Sequence, residues 1–536
     1  MDSKALSFAT IIPGQSYCFW MVLLLFLLQG PVFAAGKWFI TPSLEFNETW
    51  SDNINLSPSG ARKSAFVSEI NPGIAVSRLG GRNNIDFNYR MQNIINQGGG
   101  GNVNVNHQLQ LNSFSELSRN RLFLNARSTV SQQNIVNTGQ LARDNLTNSS
   151  NRADVYTFSV NPQWTPRFNG YANGLFRLGY DFVDTTADQA TTSNTYSGHA
   201  ELSSGYKFNQ MTWRMAYDHS LSRRDSTSVG GVSVDNDVTF RSYNAEVRYR
   251  FTRRYAVFAQ AGYIDNTIPE STGTNQNGAF YTFGAAWTPS HRFTLQGAYG
   301  INQRFVSVLL APTVRTSMSV RYQNSNVGTN TGDVWSASLN HRSARMVWTG
   351  RYFEDTTTIQ QILLNQNVFN TPTTSGQQVA NPAGNQPFSS NLGLASFTNE
   401  VLVRKRGELS VSGSTAKSDL NLTLFHSRRI SQLTQNRDTS VGVSGFWAWR
   451  FLPRTTSTLS LSWNRNSNSS GLIPGASRED TLYTGALTIT RNIADYFNIS
   501  RGIFGSIEYR YFMQNSSDPG FSFQENRISA SLAINF

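Results

Sequence analysis

Arginine is the residue type on which chemistry in this chain could turn. The sequence carries 45 basic residues, only six of them lysine, and a formal net charge of +12. A guanidinium grips carboxylate, phosphate or sulfate through a two-pronged fork that an ammonium lacks. Arg127, Arg214, Arg248, Arg351, Arg510 and Arg527 each stand on the polar side of a run of alternating polar and apolar residues. Arg127 opposes Leu124, Ala126 and Val130, and Arg351 opposes Trp348 and Tyr352. Their same-side neighbours are mostly Asn, Ser, Thr and Gln, which hydrogen-bond hydroxyl groups weakly. Such a wall attracts anions and releases them again. The competing assignment is internal ion pairing, because Glu246, Glu508 and Asp218 share faces with Arg248, Arg510 and Arg214.

Other chemistry finds little support. The six histidines, His107, His199, His219, His291, His341 and His426, form no metal-ligand spacing with one another or with the single cysteine, Cys18. His219-Ser220 and His426-Ser427 bring to mind a hydrolase pair, but adjacent strand residues point to opposite faces. The glycine run Gly98 to Gly101 precedes no helix that could cradle a phosphate. No catalytic, cofactor or metal site is expected, nor a nucleic-acid partner, and the chain reads as a non-enzyme.

The elements that must position the arginines are β-strands. In the last segment, Asn526 to Phe536, Ile528, Ala530, Leu532, Ile534 and Phe536 share one face, while Arg527, Ser529, Ser531 and Asn535 share the other. Period-two alternation of this kind suits a strand between lipid and a wet lumen. The same pattern recurs at 103–111, 213–221, 239–251, 420–424 and 503–513. Short turns, such as 80–82, 252–254 and 343–345, alternate with longer polar loops, such as 51–63, 134–152, 224–236 and 357–397. The reading is an all-β fold: one transmembrane antiparallel β-barrel of about 24 strands, within a range of 22–26, with short periplasmic turns and long extracellular loops. One strand pair is placed around a turn at Ala311-Pro312. Both termini fall at the periplasmic end, and the terminal Phe536 closing such a strand resembles the assembly signal of bacterial outer-membrane barrels, which implies the barrel-assembly machinery as a partner.

The amino-terminal segment fits that address. Trp20 to Leu28 is an apolar run far short of the roughly 20 residues a helix needs to cross a bilayer. It is followed by Ala34-Ala35, a suitable peptidase site. Residues 1–34 read as a signal peptide and 35–536 as the barrel, in a Gram-negative outer membrane. Alternation begins by Trp38, which leaves no room for a plug domain ahead of it. At about 4.8 Å per strand and a tilt near 40°, 24 strands enclose a cylinder about 48 Å across. Something must narrow it, and the 357–397 loop is the leading candidate for a constriction.

One stretch is more specific. Trp38-Phe39-Ile40-Thr41-Pro42-Ser43-Leu44 leads into Asp52-Asn53-Ile54-Asn55-Leu56, then into Ser64 to Ile74 (SAFVSEINPGI) and Asp86-Phe87-Asn88-Tyr89. This order resembles the PEP-CTERM/exosortase system-associated outer-membrane barrel family. The resemblance implies a transport or assembly role in exopolysaccharide export, with an anionic exopolysaccharide as the partner besides outer-membrane lipid. It implies no catalytic residue and no cofactor. The alternative function is a surface-binding or structural barrel whose external loops retain polymer or protein.

Overall fold

The computed structural model describes residues 37–536 apart from 98–102, 148, 189–191, 225–226, 230–231, 235–236, 269–276, 367–395, 471–476 and 495–501. The segment read as a signal peptide, the run Gly98 to Gly101 and most of the 357–397 loop lie outside the described residues.

Alternating sequence gives extended chain, and short turns give antiparallel neighbours. A sheet of 25 strands results, one of them only the two-residue Arg167–Phe168, and a separate two-stranded sheet pairs Thr227–Val229 with Val232–Val234. Consecutive strands pair in order around the sheet. The first strand, Lys37–Ser51, then pairs with the last, Phe523–Asn535, from Ser43↔Asn535 to Ser51↔Arg527. The sheet is therefore a closed ring, which removes the open edges of a flat one. Lys37 and Phe536 share the end that carries the short turns.

The two faces sort as the alternation requires. In the last strand Ile528 and Leu532 are exposed on the outside, while Arg527 and Ser529 are buried inside. Between its ends the outer surface presents exposed aliphatic residues such as Val247, Val320, Leu422, Leu461 and Ile507, the last 64% exposed. Aromatic side chains flank this band. Toward the loop end, Tyr217 packs on Tyr243 and Tyr322 on Trp335, each pair 4.8 Å between ring centroids. Toward the turn end, Trp164 packs on Phe176 at 5.3 Å and Trp287 on Phe293 at 5.7 Å. Amphipathic rings in two belts around an apolar band match the two interfaces and the core of a bilayer.

One turn differs from the sequence reading. Gln303–Thr313 runs straight through Ala311-Pro312, and the chain reverses at Val314-Arg315, where Thr313 faces Thr316. Proline cannot donate to the ladder, and the register shifts between Leu310 and Thr313, so an irregularity absorbs Pro312 without ending the strand. At the loop end of the same strand a single residue, Asn302, makes the connection to Phe293–Ile301, in the left-handed region at φ 60°. Asparagine tolerates that conformation better than most residues.

Candidate functional site in the lumen

The interior is occupied where the sequence suggested an external loop. Residues 135–151 connect the strands Leu122–Asn134 and Arg152–Trp164, and they fold into the ring. Two apolar anchors hold them there. Leu141 joins Leu56, Leu482, Phe512 and Phe523 in one cluster, and Leu146 joins Ile54, Val67 and Ile94 in another. Backbone bonds reinforce the anchors: Gly139 N–H donates to Asp480 Oδ2 at 2.6 Å, and Gln514 Nε2 donates to the Gly139 carbonyl at 2.6 Å.

Asp144, on this loop, lies between two of the six arginines. Its Oδ2 is 3.1 Å from Arg510 Nη1 and also pairs with Arg527. Each arginine has a second carboxylate from its own strand. Arg527 Nη2 reaches Glu525 at 2.7 Å, and Arg510 pairs with Glu508. Hydroxyls complete the shell: Ser51 donates to Glu525 at 2.6 Å and Thr488 to Glu508 at 2.9 Å. All five charged side chains are almost wholly buried. Burial works against the charged form of Asp144, but Arg527 and Arg510 outweigh it and hold the carboxyl below its ordinary value. Burial, with Arg510 nearby, pushes the Arg143 guanidinium down to about 10, still cationic at neutral pH. Arg143 stands over the Phe512 ring at 5.3 Å.

A second insertion sits beside the first. Helix Ile359–Leu364, capped by Thr358, packs Ile359 and Leu363 against Val155 and Val183 on the inner wall, with Phe397 closing the cluster. Arg127 donates to the carbonyl of Gln366 just beyond this helix. Below lies a cavity of about 1020 Å³ lined by Asp86, Arg127, Asp181, Asp355 and Arg404 among others. Thus the described start of the 357–397 loop does enter the lumen, alongside the loop 135–151 that sequence reasoning had left outside.

The opposite wall is more open. Arg214 and Arg248 both line a cavity of about 880 Å³. Arg214 pairs with Glu201 at 2.7 Å, and Arg248 with Glu246 at 3.0 Å. His199 and Asp218 pair at 2.6 Å in the same cavity. Arg351 stands apart and exposed, its guanidinium 6.0 Å from the Phe353 ring centre. The six arginines therefore do not form one ring of charge. Two are buried beneath a loop, two share the open cavity, and Arg127 and Arg351 sit separately.

Sequence reasoning missed Asp144, Arg321, Phe258 and Phe305. For Asp144 a signal existed: Leu141 and Leu146 bracket Arg143-Asp144 in an otherwise polar loop, and apolar residues in a loop look for something to cover them. Among the described residues no group of three or more His, Cys, Asp or Glu is placed to hold a metal ion.

No protein-family profile matches the chain, and no curated protein matches it by sequence. Solved structures do resemble it in shape. The siderophore receptor PirA from Acinetobacter baumannii is 8% identical, with 93% of this chain and 80% of that chain covered and a TM-score of 0.43. The FrpB iron transporter from Neisseria meningitidis is 9% identical, with 92% and 81% covered and a TM-score of 0.42. At that level of likeness neither cargo nor mechanism passes from them to this chain.

Proposed function

We propose that this chain is an outer-membrane barrel of 24 crossing strands that serves as a conduit or assembly component for anionic exopolysaccharide, in an exosortase/PEP-CTERM-linked system. The observation that carries the reading is the pairing of two surfaces on one ring. An apolar band between aromatic belts faces outward, and a polar wall with Arg127, Arg214, Arg248 and Arg351 faces a lumen that still holds two cavities of 880 to 1020 Å³. The first surface supports a bilayer address. The second supports passage of a hydroxyl-rich anion, held weakly and repeatedly along its path. The barrel-assembly machinery would recognise the terminal strand. Phe536 donates its N–H to the Pro42 carbonyl at 2.8 Å, so it lies at the seam of the ring. Deleting Phe536 is expected to lower the outer-membrane yield, read by membrane fractionation; an undiminished yield would show that the signal lies elsewhere.

The decisive experiment is ion selectivity in a planar bilayer. Anion preference at low salt is expected, moderate because carboxylates share the wall, and fading at high salt as charges are screened. Cation preference, or no conductance even after removal of 357–397, would sink the conduit. One observation favours the second reading, a surface-binding barrel: the buried Asp144 pairs hold loop 135–151 across the interior. A permanently closed lumen, with polymer released when external loops are deleted, would put that reading ahead.

A further inference from the structure

The open wall carries a feature that the pairing of charges does not use. Phe258 and Phe305 both face the lumen, with ring centroids 6.0 Å apart and planes 22° from parallel. Gly284, Ala286 and Ala298, on the strands between them, leave the space in which they lean together. A Cβ at Gly284 would overlap the Phe258 ring. On this pair lie two guanidinium groups: Arg248 stands 4.8 Å from the centre of Phe258, and Arg321 stands 4.1 Å from that of Phe305. Stacking holds a guanidinium flat and limits the freedom it would lose on binding.

From these contacts we infer that Arg248 and Arg321, mounted on Phe258 and Phe305, form a subsite for acidic sugar units, the carboxylate of a uronate being taken edge-on by a guanidinium. The inference rests on the proposed conduit and names its substrate class. A neutral sugar lays its C–H face on a bare aromatic ring, but here the arginines cover the rings, so only their edges are offered. Each arginine spends part of its edge on one neighbour: Arg248 Nε on Glu246 at 3.0 Å, and Arg321 Nη2 on Gln323 at 3.1 Å. The remaining donors border the 880 Å³ cavity, together with the amides of Gln260, Gln296 and Gln323, which suit sugar hydroxyls. Of the two carboxylates that line this cavity, Asp218 is paired with His199, and Glu246 is already held by Arg248 and by Gln260 at 2.6 Å.

The test is calorimetric binding at low salt to the full-length barrel in detergent, with trigalacturonate, maltotriose and inorganic phosphate as probes. Trigalacturonate should bind, maltotriose should not, and phosphate should bind at least tenfold more weakly. Arg248→Gln and Arg321→Gln should each weaken trigalacturonate at least tenfold, and Arg321→Lys nearly as much, because it keeps the charge and loses the flat fork. Folding is checked by heat-dependent gel mobility. If Arg248→Gln fails to fold because Glu246 is left unpaired, the Arg321 variants decide, since in them Glu246 keeps its bonds to Arg248 and Gln260. Trigalacturonate binding no tighter than maltotriose or phosphate, or unchanged binding in the folded Arg321 variants, overturns the subsite. Binding without any conductance keeps the subsite and sinks the conduit; anion conductance without binding does the reverse.

Discussion

Asp144→Ala is expected to free loop 135–151 from the lumen wall. Removing one partner from a buried ion pair costs about 3–5 kcal/mol, because the other charges stay desolvated. Here Arg510 and Arg527 would lose the carboxylate they share. The cheapest response is for the loop to lift and let water reach them, since the strands beneath remain fully paired. Heat-dependent gel mobility should therefore stay close to wild type, while limited proteolysis gains a site within 135–151 and unit conductance rises. Asp144→Asn should be milder. It keeps an acceptor for the Leu146 N–H, which Asp144 Oδ1 accepts at 3.1 Å, and loses only the charge. An unaltered protease map in Asp144→Ala would show that the apolar anchors suffice. The pH dependence follows from the sign of the shift. A carboxyl held below its ordinary value contributes stability above the unfolded pKa, near 3.8, and loses it as pH falls through the still lower folded value. The loop should thus remain docked from pH 7 to about pH 4 and open only in stronger acid.

Leu532→Arg should sharply reduce assembled protein, while Ser531→Arg at the neighbouring position should be tolerated far better. Leu532 lies on the outer face opposite Phe46, at the level of the apolar band. A cation there costs about 2–4 kcal/mol near the bilayer midplane. Ser531 points inward and hydrogen-bonds Ser506 across the strands, where a longer polar side chain can reach water. The amount of heat-modifiable barrel in outer-membrane fractions measures both variants. Equal damage from the two would mean that the inside and outside of this strand are exchanged.

How far the sequence carried can be seen in these residues. Leu532 and Ser531 were legible because a strand's faces alternate strictly, and that local rule holds wherever one side is apolar. Turns such as Gly80 to Arg82 and Ser343 to Arg345 were legible for the same reason, since polarity and small residues interrupt the alternation. Asp144 was not. Its partner Arg510 is 366 residues away in the chain, and the flanking Leu141 and Leu146 hint that the loop is covered without saying by what. The Phe258 and Phe305 platform was hidden differently. In period-two terms a lumen-facing phenylalanine is a defect, and only the ring across Gly284 shows why it is there. Pro312 misled because proline usually ends a strand, yet a register shift can carry a strand past it.

The seam between the first and last strands also constrains how the molecule can be made. Thr49 and Ser529 share a hydrogen bond across it, although 480 residues separate them. Contacts this remote are the slowest to form, because so much chain must be ordered before they yield anything. Nascent hairpins can zip locally, but a curl of strands short of the final one keeps two unpaired rims and an apolar flank. Until the carboxyl-terminal strand arrives, such an intermediate invites aggregation. Anything that shields those rims until the two ends meet would therefore raise the yield of closed rings.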